Sequence, residues 1–102
     1  MPENPLKTII DEDSELFNLL QDAQKLAFAE GPIPVKYKIL IAMSLDAAHG
    51  AVDGVKSLAI HAMQAGATKE EVMEAIRVTY YICGAGGAYP ASIALKEVFK
   101  KG

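Results

Sequence analysis

The chain has two histidines, His49 and His61, and Asp46 stands three residues before the first. At that spacing an Asp and an imidazole share a helix face, so Asp46 can orient His49 as a general base. Cys83 is the single cysteine, within Tyr80-Tyr81-Ile82-Cys83-Gly84. One thiol can be a nucleophile, but it has no partner in the chain for a disulfide. Each residue also has a plainer explanation. A histidine near a helix C-terminus is favoured there by the dipole alone, with Asp46 a surface neighbour. His61 suits a partly exposed or interface position. Cys83 suits a small buried hydrophobe, and Tyr80 and Tyr81 suit packing residues with a polar tip. A metal held by His49 and His61 would need Asp46 or Asp53 as a third ligand. The expectation is no metal and no cofactor. The Gly84–Gly87 run follows a helix and precedes no Lys-Ser/Thr pair, so it is no phosphate loop.

The elements that position these residues are helices. Pro2 and Pro5 predict an extended arm over residues 1–10. From about Asp11, the residues Leu16, Leu19, Leu20, Ala23, Leu26 and Ala27 recur at helical spacing up to the Glu30-Gly31-Pro32 breaker. A second helix, Val35–His49, starts after Pro34 and is apolar nearly all round from Ile39 to Met43. A third runs over Val52–Ala65. Thr68-Lys69-Glu70-Glu71 reads as a capping box opening a fourth, with an inner stripe of Val72, Ala75, Ile76, Thr79, Tyr80 and Cys83. Gly84–Gly87 should break it. A fifth, about Ala88–Lys100, carries Ile93, Leu95, Val98 and Phe99, with lysines at its negative end. No period-two run is long enough to demand a strand. The fold class is all-α, a bundle of about five helices.

At 102 residues the chain makes one domain, 1–102. So small a domain buries only about 65% of its unfolded surface. An apolar-all-round second helix therefore needs cover from another subunit. The net charge of −3 and the lack of a basic cluster beyond Lys100–Lys101 point away from nucleic acid. No apolar run approaches a membrane span, and the N-terminus resembles no secretory signal. With one unpaired cysteine, the expected compartment is the cytoplasm.

The order Lys38-Ile39-Leu40-Ile41-Ala42-Met43, then Ala65-Gly66-Ala67-Thr68-Lys69-Glu70-Glu71, then Cys83-Gly84 and Pro90-Ala91 resembles the carboxymuconolactone decarboxylase and alkylhydroperoxidase D family. The resemblance covers roughly residues 34–98. It implies an antiparallel helical bundle that assembles as a homo-oligomer, a trimer or a hexamer. In the family's peroxidases the third helix opens with Cys-x-x-Cys-x-x-x-His, the second Cys attacks, and a Glu on the preceding helix completes a proton relay. Counting back from Gly66 places the His position at Leu58, the cysteines at Ala51 and Gly54, and the Glu at Ile39. None of these four side chains is an acid, a base or a nucleophile. The resemblance therefore implies a member without dithiol peroxidase chemistry, a non-redox binding or scaffold protein. The alternative is an enzyme of the decarboxylase type, acting on a small organic acid or lactone with His49 or His61 as base.

Overall fold

The computed structural model describes residues 4–100. Six helices follow one another: α1 Lys7–Glu12, α2 Ser14–Ala27, α3 Val35–Ala48, α4 Val52–Gln64, α5 Lys69–Cys83 and α6 Ala85–Lys100. Among the described residues there is no strand. Helices α3 to α6 form the bundle. α4 lies between α3 and α6, and α5 packs on both α3 and α6.

The expected extended arm is corrected. Its first three residues lie outside the described ones, but Lys7–Ile10 belong to α1. Pro5 precedes the first turn and does no harm there. Asn4 Oδ1 accepts from the Leu6 N–H at 2.8 Å, and Lys7 pairs with Asp11 one turn on at 2.8 Å. Asp13 then separates α1 from α2. Its extended backbone, φ −151° and ψ 80°, interrupts the helix, and its side chain caps α2 by accepting from the Leu16 N–H.

Each core helix is shaped by local chemistry. Pro34 precedes α3, and Gly50 at φ +76° ends the turn after it. α5 carries a complete capping box. Thr68 Oγ1 accepts from the Glu71 N–H at 3.0 Å, while Glu71 Oε1 accepts from the Thr68 N–H at 2.9 Å. The other carboxylate oxygen of Glu71 accepts from Lys36 Nζ at 3.2 Å, which ties the start of α3 to the start of α5. The Thr68 N–H and then Lys36 hold the Glu71 carboxyl below the usual carboxylate range. The same hydrogen bond raises the Lys36 ammonium.

The expected break over Gly84–Gly87 is narrower than four residues. Only Gly84 breaks the chain, at φ +67° and ψ −155°, a region essentially confined to glycine. Gly86 and Gly87 are already helical in α6. At Gly87 the helices approach closely: a Cβ there would lie 2.9 Å from Thr79 Cγ2. Thr79 cannot easily turn away, because its hydroxyl donates to the Ala75 carbonyl at 3.0 Å.

Small residues let the bundle close. Ala47, Ala59, Ala62, Ala91 and Ala94 are buried around Met43, Val55 and Val72, the largest side chains that are fully enclosed. Several residues expected to face inward do not. Tyr80 and Cys83 are exposed on the single chain, as is the whole leucine stripe of α2. α1 and α2 pack chiefly on each other, so that stripe has no layer of the same chain behind it. Cys83 is thus not the buried hydrophobe expected. It is the last residue of α5, where the helix ends beside Gly84.

Candidate functional site

A cavity of about 520 Å³ lies between the end of α2, the first half of α3 and the second half of α4. Gln24, Lys25 and Phe28 line it from the α2 end, Val35 and Ile39 from α3, Leu58 and His61 from α4. Its position follows from the chain's punctuation. The Gly31-Pro32 breaker ends α2's course and turns the chain back toward α3. Lys38 Nζ then donates to the Ala29 carbonyl at 2.6 Å, fixing the segment after α2 onto α3. Ile39 and Leu58 also pack against the buried core, so the cavity wall is continuous with it.

Of the sequence-derived site residues, the structure brings together Ile39, Leu58 and His61. His61 lies in the last turn of α4, one turn beyond Leu58, and its ring is accessible from the cavity. His49, Asp46, Ala51 and Gly54 lie elsewhere. His49 caps the C-terminus of α3 and is exposed, the place that the dipole favours. Ala51 is the N-cap of α4 and supplies no side-chain hydrogen bond.

Asp46 does not serve His49. Its carboxylate is turned to α4, where it fills the space beside Gly54, in the first turn of that helix. The positive end of the α4 dipole favours an anion there. A Cβ at position 54 would collide with Asp46 Oδ2 and lie 2.8 Å from its Cγ. Gly54→Ala is therefore expected to destabilise the fold. The overpacking costs about 1–3 kcal/mol, against a helix-propensity gain of roughly 1 kcal/mol. Urea unfolding checks it. Adding Asp46→Ala to the Gly54→Ala chain should recover stability, because the colliding carboxylate is gone. A side chain at position 54, thiol or methyl, requires the Asp46 carboxylate to turn aside.

Three lining residues at the α2 end, and Val35 on α3, were not among the site candidates from the sequence. Gln24, Lys25 and Phe28 sit on a different side of α2 from the leucine stripe, as a step of about 100° per residue requires. Their signal is weak: a cation and an aromatic three apart, just before the breaker. Among the described residues, no three His, Cys, Asp or Glu side chains are grouped so as to hold a metal ion. No helix of the described residues is long and apolar enough to cross a membrane.

The sequence model of the carboxymuconolactone decarboxylase family matches residues 14–97, from the first residue of α2 nearly to the end of α6. The chain belongs to that family. Its fold is similar to the crystal structure of the apo form of a carboxymuconolactone decarboxylase family protein from Legionella pneumophila. The TM-score is 0.83 at 26% identity, over 89% of this chain and 81% of the other. No functionally curated protein matches the sequence. The matched residues take in the capped turn at Thr68 that the sequence singled out.

Proposed function

We propose that this chain is a carboxymuconolactone decarboxylase family member without peroxidase chemistry, working as a self-associating binding or scaffold protein. The observation that carries this is the lining of the cavity: no thiol and no carboxylate stands among its residues. Ile39, Ala51, Gly54 and Leu58 occupy the positions that we match to the family's Glu, Cys, Cys and His. Cys83, at the end of α5, lies outside the cavity and has no partner thiol. A thiolate attack followed by disulfide resolution has neither of its two sulfurs here.

Self-association is supported by the single chain's surface. Ser44 Oγ donates to the Ala75 carbonyl at 3.4 Å, placing α3 directly beside α5. Outward from that seam, Ile41 and Leu45 on α3 are 49% and 58% exposed, and Val78 and Ile82 on α5 are 66% and 74% exposed. These four are exposed apolar side chains on two helices that pack side by side, a surface of the kind that marks an interface. The exposed leucines of α2 form a second. A trimer or a hexamer of this chain would cover both, and with one unpaired cysteine we place it in the cytoplasm.

A second function, decarboxylation of a small organic acid or lactone, is favoured by one observation. His61 lines the cavity and is the one side chain there of the type that most often serves as a general base. His49 has no such place.

A thiol-coupled hydroperoxide reductase assay tests the principal proposal. The purified protein should give background turnover, and Cys83→Ser should leave it unchanged. Robust turnover abolished by that one substitution would refute it.

A further inference from the structure

The cavity has a chemical polarity of its own. Its body is apolar, made by Phe28, Val35, Ile39 and Leu58, while Gln24, Lys25 and His61 supply its polar groups. The chain as a whole is acidic at −3, yet Lys25 is the one residue of fixed charge among those lining the cavity, and it is positive. An anion entering there meets an ammonium, an amide and an imidazole N–H, with no carboxylate in the lining to repel it. The volume falls within the range of about 300–1,000 Å³ typical of small-molecule sites.

We propose that this cavity binds an amphipathic monocarboxylate. The carboxylate pairs with Lys25, helped by Gln24 and His61, and the hydrocarbon body lies against Phe28, Val35, Ile39 and Leu58. The proposal rests on the non-redox reading of the same cavity: with an apolar Ile39, the pocket presents no negative charge to its ligand. α2 contributes the charged end and α3 and α4 the apolar wall, so the ligand spans the junction between the N-terminal helices and the bundle.

The test is calorimetric titration of the full chain with decanoate, decanol and decyltrimethylammonium, which share a tail and differ in the charge of the head. Decanoate should bind best, by about tenfold over decanol, as expected for a hydrogen-bonded charge pair. Octanoate should bind more weakly, by about fourfold for each methylene removed. Lys25→Glu should abolish the preference for decanoate. Lys25 is a surface residue of α2 outside the buried core, so this variant keeps the fold, which circular dichroism verifies. Phe28→Ala should weaken decanoate and decanol alike. Equal affinity for decanoate and decanol, or a Lys25→Glu chain that binds decanoate as before, would overturn the proposal and leave the non-redox reading standing. Failure of decanoate to bind at millimolar concentration overturns it too. Hydroperoxide turnover lost in Cys83→Ser would instead defeat the underlying reading.

Discussion

Truncating Met43 to Ala is expected to destabilise the protein by about 2–5 kcal/mol, the range for deleting a large buried side chain. Met43 is 0% exposed and sits in α3 within the core that α4, α5 and α6 close around. Six of the twelve buried core residues are alanines, which cannot swing into the space left behind. The total stability of a small domain is about 5–15 kcal/mol, so this one change removes a large share. At about 4–8 °C for each kcal/mol, the drop in Tm is easily read in a thermal scan. Protein concentration must be held constant, because association couples to unfolding. Met43→Leu keeps the volume and should cost less than about 1.5 kcal/mol. A Met43→Ala chain as stable as the parent would mean that α3 is not anchored through this residue. The wall that Ile39 gives to the cavity would then need another support.

Ile41→Lys is expected to dissociate the assembly while leaving the helices intact. The apolar stretch of α3 leaves open, by sequence, which of Ile39 and Ile41 faces outward. The structure puts Ile39 on the cavity and core side and leaves Ile41 49% exposed. Burying a side chain of this size at an interface contributes on the order of 1.5–3 kcal/mol per subunit. A lysine there both loses that contribution and leaves an unpaired ammonium to be desolvated. The same change is harmless to the isolated chain, where position 41 already meets water. Size-exclusion chromatography should show a shift to the monomer, with an unchanged far-ultraviolet dichroism spectrum. Val78→Lys, across the seam on α5, should have the same effect. Loss of helicity in both variants would place these side chains within the fold rather than on its outer surface.

Much of the bundle was legible because its signals are local. The capping box at Thr68, the proline before α3 and the three-four spacing each fix an element without knowledge of its neighbours. What a neighbour supplies was not legible. The leucines of α2 announce an amphipathic helix, but periodicity cannot say whether the covering layer belongs to the same chain. The same ambiguity put Tyr80 and Cys83 inside, although both are exposed on the single chain. The glycine run also misled, since only Gly84 needs a positive φ, while Gly87 is there for its closeness to Thr79.

The candidate site divides in the same way. The family resemblance marked Ile39 and Leu58, the histidine count marked His61, and the cavity unites the three. Lys25 and Phe28 reach it from a helix with no recognisable motif. Asp46 and His49 have a spacing that suits a catalytic pair, yet Asp46 is drawn to Gly54 on the next helix. The space beside Gly54, which has no Cβ, is where that carboxylate lies.

The central claim is that this chain keeps its family's fold as an assembly rather than as a peroxidase, and its exposed apolar seam is the most direct sign of it. Multi-angle light scattering of the unmodified protein at micromolar concentration measures this directly. A mass that is a multiple of the 10.9 kDa chain, at the trimer or the hexamer, is the predicted result. A single-chain mass across that concentration range would contradict the account, leaving Ile41, Leu45, Val78 and Ile82 in water.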